Sequence, residues 1–233
     1  MRVMVLAPMK VELFPVVRAL GLTRTGGPRA SHSGQVTGVD VTAALAGVGP
    51  EQAEAATRWA LQTFTPDHVI VSGIAGGMAS HLAIGHLVTP TETVSADTGR
   101  LCHPVGIGDD DPSGRIVTTA ALLAMSDLQA FADDGAVAVD METAAVGAAC
   151  EDAGVAWTAY RGISDLVSEG LVDDRSMSMV KPDGTTDVGA VVRTIATRPW
   201  TMPRLARLGR DTQRATTAAA GATARAVATF GRS

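Results

Sequence analysis

Apolar residues in this chain fall into short, almost unbroken runs. Between the runs lie stretches in which apolar positions recur every three or four residues, and the two periods predict alternating strands and helices. Arg2–Ala7 is the first strand, and Lys10–Leu20 follows with helical spacing through Val11, Phe14, Val17 and Leu20. Ala30–Ala46 reads as two strands joined at Thr37-Gly38, and Pro50–Phe64 as an Ala-rich helix with proline tolerated in its first turn. His68–Ser72 is a buried strand running into Gly73-Ile74-Ala75-Gly76-Gly77. Further strands are expected at His86–Val94, Arg115–Thr118, Ala136–Val139 and Val155–Ile163, with helices at Thr119–Ala132 and Glu142–Ala153. This alternation is that of an α/β fold with a largely buried sheet. Asp165–Pro203 is a polar connector containing methionines. Arg204–Phe230 is an Ala/Thr/Arg segment whose composition favours helix, with Gly209 and Gly221 as weak points. No repeat or interdomain linker interrupts the pattern, so residues 1–233 are expected to form one domain.

Composition narrows the partners. A 46% hydrophobic and 18% charged chain is neither disordered nor a charged tail. A net charge of −5 and a pI near 5.5 disfavour nucleic acid and anionic membrane. No apolar run reaches the ~18 residues of a membrane span, and Met1–Pro8 is too short for a signal peptide. Cys102 and Cys150 lack metal-ligand spacing and read as reduced thiols of a cytoplasmic protein.

Candidate chemistry lies in carboxylates at strand ends, where α/β sheets place their ligands. Asp165 follows Tyr160-Arg161-Gly162-Ile163-Ser164, Glu142 follows Val139-Asp140-Met141, and Glu12 follows Ala7-Pro8-Met9-Lys10-Val11. Each also has a structural reading. Asp165 could cap a turn, Asp140 and Glu142 could be the cap and first-turn acid of a helix, and Glu12 could be solvated on an amphipathic helix. The glycines of Gly73–Gly77 could let a ligand approach the backbone, but they match neither GxGxxG nor the Walker pattern.

Taken together, Met-x-x-Glu after the first strand, Gly73-Ile74-Ala75-Gly76-Gly77, Asp140-Met141-Glu142 and Arg161-Gly162-Ile163-Ser164-Asp165 resemble the methylthioadenosine/S-adenosylhomocysteine nucleosidase branch of the nucleoside phosphorylase and nucleosidase superfamily. The resemblance covers about residues 1–168. It implies a three-layer α/β/α sandwich around a mixed, distorted central sheet, with a variable extension from about residue 166. It also implies cleavage of a purine nucleoside, adenine favoured, without metal or cofactor. By this similarity Asp165 is the acid facing purine N7, oriented by Ser164, and Glu142 holds the ribose hydroxyls. Glu12 activates water with the help of Arg161. Met9, Ala75, Gly76, Met141, Leu122 and Leu123 line the sugar and base. A homo-oligomer, with a dimer favoured, is implied as well.

The sequence departs from that branch at three places. Ile74 stands where a serine usually contacts the water, Leu122 stands where an aromatic often stacks on adenine, and the chain after Asp165 is longer. Arg198-Pro199-Trp200 with Pro203-Arg204-Leu205 resembles hopanoid-associated relatives. Hydrolysis is the leading expectation, because no Gly-Asp-Pro-x-Arg phosphate loop follows the first strand and Glu12 would repel phosphate. A phosphorylase and a non-catalytic nucleoside-binding protein are the alternatives, and a dinucleotide enzyme has no supporting motif. Leu166, Val167, Leu171, Val172, Met177, Met179 and Val180 suggest that an apolar 5′ group is recognised.

Overall fold

The longest pairing in the molecule is between its two central strands, β5 (His68–Gly77) and β11 (Ala156–Leu166), which run parallel. The computed structural model describes residues 1–108, 112–121, 123–167 and 202–232, with only the backbone of 202–205. Across the other edge of β5 lies β1 (Arg2–Ala7), also parallel, followed by β4 (Val39–Leu45), β3 (His32–Val36) and β2 (Thr23–Arg24). Beyond β1 the same edge of β5 is taken by β10 (Ala136–Asp140), now antiparallel at Gly76 and Gly77. Outside β10 come β9 (Arg115–Thr118), β7 (Glu92–Ser95) and β8 (Leu101–Cys102), while β6 (Leu87–Val88) pairs with β11. The sheet is therefore mixed.

Alternation along the central strands sends odd and even residues into two cores. Val3, Val5, Ile70 and Tyr160 meet α1 (Lys10–Leu20) and the C-terminal α5 (Met202–Phe230). Met4, Leu6, Val69, Val71 and Trp157 meet α2 (Pro50–Phe64) and α4 (Thr143–Asp152). The result is the expected α/β/α sandwich. The alanine bias of α5 has a packing cause, because Ala215, Ala219, Ala222 and Ala226 are buried and the helix axis can approach the sheet closely. Gly162 of β11 completes that contact, since a Cβ there would come within 2.6 Å of the Ala215 carbonyl carbon. Gly209 and Gly221 sit within α5 without ending it.

Several expected boundaries shift. His86–Val94 is two strands, because Pro90 lacks the N–H a continuous ladder needs, and the halves pair with different neighbours. The helix expected from Thr119 begins only at Met125 as α3 (Met125–Asp133). The Thr119 hydroxyl bonds both the N–H and the carbonyl of Ala121, a local turn that competes with helix. The strand expected over His68–Ser72 continues through the glycines to Gly77, and β11 extends to Leu166, beyond the expected end at Ile163. Strands β2 and β8, two residues each, were not expected. No helix among the described residues is long and apolar enough to cross a membrane.

Candidate active site

The pairing of β5 leaves an opening. Its register with β1 ends at Leu6↔Val71 and that with β10 begins at Gly76, so on this edge Ser72 to Ala75 have no strand partner. Such a change of neighbours is where open α/β sheets place their ligands. Three elements converge on the gap: the start of α1, the junction of β10 with α4, and the end of β11.

Glu12 fills the gap from α1. Its Oε1 accepts the Ile74 N–H at 2.8 Å and its Oε2 accepts the Met9 N–H at 2.8 Å, the latter as part of the helix cap. The side chain replaces the missing strand at Ile74, which is why it is buried rather than solvated. Removal from water dominates its titration and, although Arg161 and the two N–H groups oppose this, its pKa is pushed up to about 8.

Arg161, on β11 and fully buried, stands beside Glu12 with Nη1 to Oε1 at 3.9 Å. Its closer partners come from the β10–α4 junction. Nη2 lies 2.6 Å from Asp140 Oδ2 and 3.3 Å from Glu142 Oε2, Nε donates to Thr143 Oγ1 at 2.8 Å, and Nη1 donates to the Ile74 carbonyl at 3.3 Å. Burial works against the guanidinium charge, but Asp140, Glu142 and Glu12 outweigh it and raise the pKa above its usual value. Glu142 is the N-cap residue of α4, and its Oε1 accepts the N–H of Gly49, the N-cap of α2. It therefore lies at the positive ends of two helices. Desolvation still raises its pKa, against the pull of Arg161 and with a push from Asp140.

Gly73 is the residue that permits this cluster. A Cβ there would collide with Arg161 Nη1 and stand 2.5 Å from Glu12 Oε1. The glycine run thus serves neighbouring side chains as well as any ligand.

Asp165 lies further along the same strand pair. A register shift makes Ser164 an extra residue between Ile163↔Ala75 and Asp165↔Gly76. Ser164 Oγ donates to Asp165 Oδ1 at 2.7 Å and lies 3.5 Å from the Ala75 carbonyl. Asp165 Oδ2 stands 3.5 Å from where a Cβ on Gly76 would be. Glu12 thus stands beside Gly73 and Asp165 beside Gly76, three residues further along β5.

Among the residues singled out by sequence, Glu12, Arg161 and Glu142 form one cluster, and Ser164, Asp165, Ala75 and Gly76 form a second. Met9 joins the first through its N–H, and half-buried Met141 lies between Asp140 and Glu142. Leu123 is half-buried between β9 and α3, and Leu122 lies outside the described residues. Thr143, Thr118 and Gly49 join the first cluster with no signal in the sequence, and Asp140 joins it although the sequence offers it only as a helix cap and a motif neighbour of Glu142. The thiols of Cys102 and Cys150 are buried and pushed up to about 11 and about 12, so neither is a nucleophile at neutral pH. Among the described residues, no group of His, Cys, Asp or Glu is placed to hold a metal ion.

The sheet and its carboxylate–arginine centre define an α/β protein with its candidate active site at a strand switch point. The family model of the Phosphorylase superfamily matches residues 2–123 and 112–196, and the chain belongs to that superfamily. Two curated relatives are 5′-methylthioadenosine/S-adenosylhomocysteine nucleosidases. The one from Maridesulfovibrio salexigens is 32% identical and the one from Shewanella sediminis 34% identical, each over 94 residues. The matched stretch is 40% of this chain and 41% of each relative. The nucleosidase from Neisseria meningitidis, solved in complex with methylthio-immucillin-A, has the same fold, with a TM-score of 0.72 and 20% identity over 97% of this chain and 98% of that one. The Streptococcus counterpart from S. pneumoniae superposes with a TM-score of 0.74 at 17% identity, covering 99% and 100%.

Proposed function

We propose that this protein hydrolyses the N-glycosidic bond of a purine nucleoside, with adenine as the favoured base. The observation that carries the reading is Glu12, a buried carboxylate fixed by two backbone N–H groups at the open edge of β5, beside Arg161 and against the same strand that Asp165 packs against. In the reaction Asp165 delivers a proton to purine N7 as the C1′–N9 bond breaks, with Ser164 holding its other oxygen. Glu12 takes a proton from water as the water oxygen bonds C1′, and Glu142 accepts hydrogen bonds from the ribose hydroxyls. The products are free base and free sugar. An oxocarbenium-like transition state brings positive charge between Glu12 and Glu142 and favours their ionised forms. The carboxylates therefore bind the transition state more strongly than the ground state.

The two curated relatives and the inhibitor complex of the Neisseria protein support adenine and a methylthio-type 5′ group. Recognition of an apolar 5′ group by Leu166, Val167, Leu171, Val172, Met177, Met179 and Val180 is part of the proposal; all of these but Leu166 and Val167 lie outside the described residues. Met9, Ala75, Gly76, Met141, Leu122 and Leu123 are proposed to line the sugar and base. The reading includes a cytoplasmic homo-oligomer, with a dimer favoured; exposed Val11, Phe14, Leu101 and Val105 supply apolar surface for such an interface.

The test is base release from 5′-methylthioadenosine, 5′-deoxyadenosine, adenosine and inosine, with and without phosphate. Adenine and free sugar are expected in phosphate-free buffer, with kcat/KM rising as the 5′ group becomes larger and less polar. A strict phosphate requirement with a sugar 1-phosphate as product would establish a phosphorylase instead. Binding without base release would make the protein a nucleoside-binding one.

A further inference from the structure

The ion pair of Arg161 with Asp140 is shorter than those with Glu142 and Glu12, yet Asp140 belongs to neither carboxylate group just assigned to the chemistry. Its side chain is about 1% exposed and its lone pairs are turned inward. Oδ1 accepts the Thr118 hydroxyl at 2.6 Å, both oxygens face the Thr143 N–H at 3.3 and 3.2 Å, and Oδ2 takes the Thr143 hydroxyl as well as Arg161 Nη2. The Thr143 hydroxyl gives its proton to Asp140 and so presents a lone pair to Arg161 Nε at 2.8 Å. Thr118 Oγ1 in turn accepts the Ala144 N–H at 2.9 Å, which ties β9 to the first turn of α4.

From these contacts we infer that Asp140 and Thr143 are positioning residues that grip Arg161 at Nη2 and Nε and thereby decide how its charge is divided between Glu12 and Glu142. A planar guanidinium held at two of its nitrogens cannot rotate in its plane. Nη1 is left facing Ile74 O and Glu12, and the outer side of Nη2 faces Glu142. Among the described residues, the charged groups around Arg161 are Glu12 from α1, Asp140 from β10 and Glu142 at the start of α4, while β5 and β9 contribute Gly73, Ile74 and Thr118. Because Asp140 takes the shortest pair, less of the guanidinium charge is spent on Glu12. That helps Glu12 to remain basic enough to take a proton from water near neutral pH.

The inference rests on the proposed role of Glu12, and the test separates the two. Asp140→Asn keeps the shape and removes the charge, Thr143→Val removes the hydroxyl, and Thr143→Ser restores it. For base release from 5′-methylthioadenosine, Asp140→Asn and Thr143→Val should lower kcat at least 10-fold with KM within about threefold, as expected when transition-state contacts alone are lost. Thr143→Ser should recover most of the Thr143→Val loss. The inflection on the rising limb of the kcat–pH profile, where Glu12 loses its proton, should move to lower pH by about one unit in Asp140→Asn, as expected when a neighbouring cation is less neutralised. In parallel, binding of a non-cleavable C-nucleoside analogue of adenosine is followed by calorimetry across pH. If wild type binds the analogue but releases no base, the hydrolase reading fails; the pH dependence of binding then decides the positioning role, a shifted inflection in Asp140→Asn supporting it. Unchanged kcat and inflection in Asp140→Asn, or a loss in Thr143→Val that Thr143→Ser does not restore, would overturn it. Failure of wild type to bind the analogue would overturn both.

Discussion

Glu12 should make the protein less stable at alkaline pH than it would be without that carboxylate. In the folded state its pKa is about 8, against 4.5 for a solvated glutamate, because burial removes water that Arg161 and two N–H groups only partly replace. A gap of roughly 3.5 pH units corresponds to about 5 kcal/mol. Since the folded value is the higher one, the stability associated with protonated Glu12 is complete below about pH 4.5 and is lost as pH rises through about 8. Glu12→Gln removes this titration. The amide has one acceptor oxygen where the carboxylate has two, so the N–H of Met9 or Ile74 faces an NH2 group, at a cost of about 1–3 kcal/mol at every pH. The variant should therefore be less stable than wild type near pH 5 by about 1–2 kcal/mol. Near pH 8.5 it should be more stable by about 2–4 kcal/mol. Urea unfolding of both proteins at the two pH values, with equal slopes in urea, measures the crossover. Parallel pH profiles would refute the assignment of Glu12 as a desolvated carboxylate.

Asp165→Asn should reduce kcat for base release by about 10²–10⁴-fold with KM little changed, because an amide cannot deliver a proton to N7; steady-state kinetics decide it. Gly73→Ala should cost roughly 1–3 kcal/mol and abolish base release, since its methyl overlaps Arg161 and Glu12, both held by other bonds; thermal melting and activity together check it. His68, whose pKa burial lowers from 6.5 to about 4, is bonded through Nε2 to Thr158 Oγ1 at 2.9 Å. Its neutral form is favoured in the fold, so stability present above about pH 6.5 falls as pH drops toward about 4, by about 3 kcal/mol. His68→Gln should flatten that acid limb in melts at about pH 7 and about pH 4.5.

Element type was legible wherever one period ran long enough. The buried runs Arg2–Ala7 and Val155–Ile163, and the helices Lys10–Leu20 and Pro50–Phe64, carry their structure in local pattern and caps, which neighbours only reinforce. The motifs around Glu12, Glu142 and Asp165 likewise stand at strand ends in the chain itself. Partners of residues far apart in sequence were not legible. Whether Glu12 is solvated depends on β1 ending before β10 begins along β5. That Asp140 grips Arg161 depends on β10 and β11 flanking β5 from opposite sides. Gly73 is required because two side chains, from α1 and β11, occupy the space of its Cβ, and α5 is alanine-rich because Gly162 admits its backbone. Local sequence sets dihedral preference and amphipathic face. Desolvation and charge pairing are set by what is packed within a few ångströms, and only the assembled sheet determines that.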